Sequence, residues 1–276
     1  MAERKIKLGT DFHGVIAADA PLIWQHIRFS HNFPKDCLKD VDMAGFPSPV
    51  LFPNLDPGIL EDRKAILADP AHLCRISPCM GITLGLPLIT RVTEGEIYMI
   101  SAMQEFLRGD VNALLKRWEL DSYLPDRNIY LRKDRRESPE SSKIINARKA
   151  AITYMIEDDP VLVDAFVKEG IKVIHIVNGY GELGAPNGPD VIRFGSLFDF
   201  AIEAATVGSI EGIFENKQEE LQNAENLYRI YTPNPPFCTD KDFACKIRGL
   251  CFLTSEKGRF YIGPGDSYLS YNSIRS

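Results

Sequence analysis

The 276-residue chain is 45% hydrophobic and 25% charged, which suffices for a sizeable core and argues against a wholly disordered chain. A net charge of -6 speaks against a general nucleic-acid binder, though not against a local basic patch. No apolar run nears the roughly 18 residues of a membrane span. The N-terminal MAERKIKLGTD has no apolar signal core, and six cysteines without CxxC spacing are too sparse for a disulfide scaffold. The expectation is a cytoplasmic protein with reduced thiols.

Residues 4–10 alternate lysines with Ile6 and Leu8, which predicts a strand that ends on Asp11, before a turn carrying His13 and Gly14. Residues 18–75 are rich in Pro, Asp and aromatics and predict an insert with short, broken helices. Regularity returns near residue 80. GITLGLPLITRVTEG predicts a helix, EIYMISA a buried strand ending on Ser101, and MQEFLRGDVNALLKRWEL a helix. RNIYLRK predicts a strand, SSKIINARKAAI a serine-capped helix, and TYMIEDDP a strand ending in acids. VLVDAFVKEGI, KVIHIV, DVIRF and GSLFDFAIEAA continue as helix, strand, strand and helix. This alternation predicts an α/β fold: a Rossmann-like parallel sheet with right-handed crossovers and helices on both faces. It assigns 1–17 and 76–206 to the core, 18–75 to an insert after the first strand, and 207–276 to a C-terminal extension without an assigned role. Within that extension, IEGIFENKQEELQNAENLYRIY reads as helical and GLCFLTSEKGRFYIGPGD as a hairpin turning at Glu256-Lys257-Gly258.

Ligands of such sheets sit beyond the carboxyl ends of the strands. Those ends carry Asp11, Ser101 and the run Glu157-Asp158-Asp159, and Lys143 begins the helix before the last of them. Clustered carboxylates stay ionised together only with a cation, and an all-oxygen site suits Mg²⁺. Lys143 and Ser101 would hold non-bridging phosphate oxygens, and an Asp beside the metal can attack phosphorus.

In this order and placement the residues resemble the haloacid dehalogenase (HAD) superfamily. Asp11-Phe12-His13-Gly14-Val15-Ile16 is similar to its first motif, IYMIS ending at Ser101 to its second, Lys143 (with Lys149 in competition) to its third, and IEDDPVLVD with Asp158, Asp159 and Asp164 to its fourth. The resemblance spans about half the chain and leaves 18–75 and 207–276 unexplained. It implies a Mg²⁺-dependent phosphohydrolase acting on a small phosphomonoester through an aspartyl-phosphate. Asp11 would be the nucleophile, with Asp11, the His13 carbonyl, Asp158 and Asp159 around the metal. The insert would be a cap over the pocket, where Trp24, His26, Arg28, His31 and Phe33 are candidates for substrate contact and Arg28 could pair with a second anionic group. His13 stands where hydrolysing members usually carry a second Asp, the acid/base. An imidazole can take that role. The alternatives are a catalytically weakened HAD-fold protein that binds a partner, or an enzyme that cleaves a phosphonate or carbon–halogen bond. No membrane partner is expected, nucleic acid is disfavoured, and a homo-oligomer stays open.

Three further signals are discounted. Gly179-x-Gly181-x-x-Gly184 follows a strand, but Pro186 and Pro189 stand where a dinucleotide-binding helix should begin. Cys238, Cys245 and Cys251 lack zinc-site spacing and a nearby histidine. RKDRRES (132–138) reads as a solvated basic loop that could meet a polyanionic substrate.

Overall fold

Strands β1 (Leu8–Thr10), β4 (Ile97–Gln104), β5 (Ile129–Arg132), β6 (Tyr154–Glu157), β7 (Lys172–Ile176) and β8 (Val191–Phe194) form one sheet in the order β5-β4-β1-β6-β7-β8. All of its pairings are parallel. The computed structural model describes residues 6–19, 22–23, 26, 30, 57–93, 97–177, 188–217, 253–255 and 258–260. It divides into two units, Met1–Ile210 and Glu211–Ser276.

The first unit follows the alternation expected from the sequence, with helices α1 (Pro57–Leu67), α2 (Pro70–Leu73), α3 (Ile82–Val92), α4 (Arg108–Arg117), α5 (Pro139–Ala150), α6 (Pro160–Lys168) and α7 (Leu197–Val207). Local chemistry sets several boundaries. Ser138, Asp159 and Ser196 cap α5, α6 and α7 through side-chain oxygens, and Pro occupies the first turn of α5 and α6. Met155 and Val173 join Ala147, Leu162, Val163 and Phe166 of α5 and α6 in one core cluster. Their strand neighbours Ile156 and Ile174 point the opposite way and are also buried, so both faces of the sheet are covered.

Two boundaries differ from expectation. β1 begins at Leu8, later than the alternation suggested. β4 does not end on Ser101; it runs to Gln104. Its pairing with β1 stops at Met99, and its register against β5 shifts between Ile100 and Gln104. Ser101 therefore sits at an irregularity just past the β1 pairing, where a bulged strand re-aims its side chains. The first two residues of MQEFLRG belong to that strand, and α4 starts only at Arg108.

The insert leaves and rejoins the core at one place. β2 (Ala17–Ala18) and β3 (Ser77–Pro78) pair antiparallel, Ala17 opposite Pro78. Within the second unit, the described residues are helical to 217 and then form an antiparallel pair, β9 (Leu253–Ser255) with β10 (Gly258–Phe260). Among the described residues no helix is long and apolar enough to cross a membrane.

Candidate active site

The sheet order reverses at β1: the chain steps outward through β4 and β5, then returns to β6 on the other side. A crevice opens beyond the strand ends at such a reversal. Asp11 follows β1 and keeps its backbone N–H on the Ile156 carbonyl of β6 at 3.0 Å. Phe12 is fully buried and stacks on Trp118 at 6.2 Å, so the chain anchors there between Asp11 and His13. Gly14 then turns with a φ of +75°, and a Cβ on it would lie 2.0 Å from Asp158 Oδ2. Glycine is required there twice over, by its backbone conformation and by the approach of a site carboxylate.

Lys143 is the fifth residue of α5, in its second turn, and is buried. Its Nζ donates to Asp11 Oδ2 and to Glu157 Oε2, both at 2.7 Å. Asp11, Glu157 and Asp158 bring carboxylate oxygens within 4.8 Å of one another, all buried. Three acids surround one ammonium group. Burial alone would lower the Lys143 pKa, but the Asp11 and Glu157 charges outweigh it and hold it above its ordinary value.

Burial pushes both Glu157 and Asp158 up, reinforced at Asp158 by the Glu157 and Asp11 charges and opposed at Glu157 by Lys143. Glu157 Oε1 also accepts from the Asp158 and Asp159 N–H groups at 3.2 and 3.3 Å. These bonds favour its ionised form. Asp158 Oδ2 and Asp11 Oδ1 are buried with no hydrogen-bond partner among the described residues.

The donor set suits a hard cation. Asp11 and Asp158 each keep one buried carboxylate oxygen without a hydrogen-bond partner among the described residues, while the Glu157 oxygens are already engaged. One or two carboxylates, with water and a substrate oxygen completing the sphere, is how proteins commonly hold Mg²⁺.

These residues open on a pocket of about 390 Å³ lined by Asp11, His13, Ser101, Lys143, Asp158 and Asp159, by Arg63 and Lys64 of α1, and by Gln104 and Arg132 at the ends of β4 and β5. Ser101 is buried and its Oγ accepts from the Met103 N–H at 3.4 Å. His13 turns its Nδ1 onto Oδ2 of the fully buried Asp19, and both of its ring nitrogens are buried.

Other candidates lie elsewhere. Lys149 is exposed, with its Nζ 6.0 Å from the centre of the Tyr130 ring. Asp164 is half-buried on α6 and pairs with Lys168. Asp159 lines the pocket, but its Oδ1 caps α6 through the Val161 N–H at 2.9 Å and is not among the converging oxygens. His26 is exposed. Trp24, Arg28, His31, Phe33, the Gly179–Gly184 loop and Cys238, Cys245 and Cys251 fall outside the described residues.

Three residues without a role in the four motifs complete the arrangement. They are Glu157, Asp19 and the fully buried His175, whose Nε2 lies 3.2 Å from the Asp158 carbonyl. A signal existed for Glu157, since a buried lysine needs a buried acid. The other two meet their partners only through tertiary contacts.

No family model and no curated protein matches the chain. Solved structures do. A Protein Tyrosine Kinase A (PtkA) from Mycobacterium tuberculosis matches with a TM-score of 0.52 at 15% identity, over 74% of this chain and 100% of that one. A predicted phosphatase from Clostridium acetobutylicum matches with a TM-score of 0.50 at 14% identity, over 73% and 99%. A HAD-superfamily hydrolase from Ehrlichia chaffeensis matches with a TM-score of 0.47 at 11% identity, over 75% and 98%. At these identities the likeness is one of fold. Sheet order and the two neighbours with TM-scores of 0.50 and 0.52 agree on one architecture, an α/β fold built on a six-stranded parallel sheet.

Proposed function

We propose that the chain is a Mg²⁺-dependent phosphohydrolase acting on a small phosphomonoester through an aspartyl-phosphate. The observation that carries this reading is the pair of orphaned oxygens, Asp11 Oδ1 and Asp158 Oδ2, beside a lysine that grips Asp11. Asp11, Asp158 and the His13 carbonyl would hold the ion, with Asp159 on the pocket wall. When bound, Mg²⁺ neutralises the carboxylates and the phosphoryl oxygens. Asp11 attacks phosphorus, the ester oxygen leaves, and water later cleaves the acyl phosphate to free Asp11. Lys143 and Ser101 bind the equatorial oxygens. Glu157 keeps Lys143 in place and His175 steadies the Asp158 backbone. His13, with its ring fixed by Asp19, hands a proton to the leaving oxygen and takes one from water.

The test is phosphate release from a panel of phosphomonoesters with Mg²⁺, comparing wild type with Asp11→Asn. Release is expected from wild type and is expected to be abolished in the variant; activity that survives the change removes Asp11 as nucleophile.

One observation favours a second reading, a slow or non-hydrolysing protein that keeps the site for binding. Both His13 ring nitrogens are buried, so the imidazole is not openly presented to the pocket. The His13→Asp variant separates the two readings within the same panel. Lower activity marks the imidazole as the working acid, and higher activity marks it as a weakened substitute.

A further inference from the structure

Arg132 ends β5 and lies opposite Gln104 in the sheet register, half-buried at the pocket wall. Its guanidinium is held by neutral acceptors. Nη1 donates to the Glu137 backbone carbonyl at 3.3 Å. With its amide oxygen turned toward the guanidinium, Gln104 accepts from Nε at 2.6 Å and from Nη2. Among the described residues no carboxylate forms an ion pair with Arg132. Other cations of the unit do have acids: Lys64 meets Glu61, Arg108 meets Glu105 and Asp126, and Arg148 meets Glu169.

A half-buried charge calls for a counter-charge. Arg132 is fixed in orientation and left unneutralised, and it lines the same pocket as Asp11, Ser101 and Lys143. A guanidinium fork matches a carboxylate or a phosphate, and its fixed setting lowers the entropy lost on binding. The pocket, about 390 Å³, has room for a small molecule with a group at each end.

We propose that Arg132 is a specificity residue that binds a second anionic group, carboxylate or phosphate, so that the preferred substrates are small phosphomonoesters bearing one. This rests on the phosphohydrolase reading for the reacting end and on Arg132 alone for the other end.

Matched probes test it. Glycerol 3-phosphate and 3-phosphoglycerate differ by a carboxylate; glucose 6-phosphate and glucose 1,6-bisphosphate differ by a phosphate. Wild type is expected to favour the more anionic member of at least one pair by about tenfold or more in kcat/KM, the scale of one hydrogen bond to a charged group. Whichever pair responds identifies the group. Arg132→Gln should reduce that preference by about tenfold, Arg132→Lys should restore part of it, and Arg148→Ala, on an exposed pair, should keep it. No preference in wild type, or a preference that survives Arg132→Gln, overturns the proposal. If wild type turns over none of the probes, the phosphohydrolase reading has failed, and calorimetric titration with the same probes and Mg²⁺ reads the proposal separately. Tighter binding of the more anionic probe that is lost in Arg132→Gln supports it. Equal binding, or none, overturns it.

Discussion

Helix α5 carries two paired cations of opposite character five residues apart. In its second turn, Lys143 is buried between Asp11 and Glu157. In its last turn, Arg148 reaches out to Glu169, with its own side chain 63% exposed. Each places a cation on a carboxylate, yet the surroundings differ. Water can replace Glu169 at Arg148. Nothing of that kind is available to the acids around Lys143, where burial raises both Glu157 and Asp158. A pair that is cheap to break contributes little to stability, whereas a pair that leaves buried charge behind when broken is a structural commitment, and such commitments cluster where ions and substrates bind.

The largest effect comes from breaking the buried pair. Lys143→Met should lower stability by about 3–5 kcal/mol, because Asp11 and Glu157 lose their shared cation while still buried. Differential scanning calorimetry measures the drop in Tm. Adding Glu157→Gln to Lys143→Met removes one of the stranded charges and should recover part of the loss. A Lys143→Met protein within about 1 kcal/mol of wild type would show that the cluster does not carry its charge as described.

The next effect comes from pH. An acid whose folded pKa lies above its unfolded value binds more protons when folded. Its stabilising contribution is full below the unfolded pKa and is lost as pH rises through the folded one. Glu157 and Asp158 are both raised, by burial first, so the metal-free protein should lose stability as pH rises from about 4, the ordinary carboxylate range, to about 8, where Glu157 stands. Lys143, raised instead, stays charged across this window and adds no slope. The loss should reach at least about 1.4 kcal/mol, the equivalent of one pKa unit. Tm measured in EDTA should fall over that range, and Mg²⁺ should flatten the fall by favouring the ionised carboxylates. A Tm in EDTA that rises with pH contradicts the excess of buried acid.

Much of this site was legible in the sequence because strand ends are periodic. Asp11 and Asp158 fall where apolar strands stop, and a parallel sheet gathers such ends at one edge, whereas Ser101 lies inside β4, three residues before its end. Lys143 was legible as a lysine near the start of the helix feeding β6. What was not legible depends on side-chain direction. β6 is buried on both faces, so alternation cannot tell Glu157, Asp158 and Asp159 apart. The backbone does so by turning Asp159 away to cap α6 and leaving Glu157 for Lys143. Asp19 reaches His13 across the stem of the insert, and Arg132 reaches the pocket through a register shift in β4; neither contact has a local pattern.

The smallest effect completes the comparison. Arg148→Ala removes the pair with Glu169 and leaves two groups that water can solvate. Exposed pairs of this kind contribute about 0–1 kcal/mol, screened further by salt. Alanine is also the best helix former, which offsets some of the loss within α5. Arg148→Ala should therefore shift Tm by no more than a few degrees for a unit of this size, and the shift should shrink as salt is raised. Lys143→Met should keep most of its effect under the same salt, because its partners are buried. If both variants respond to salt alike, burial does not separate the two ends of α5, and the case for a committed charge cluster at the strand ends fails with it.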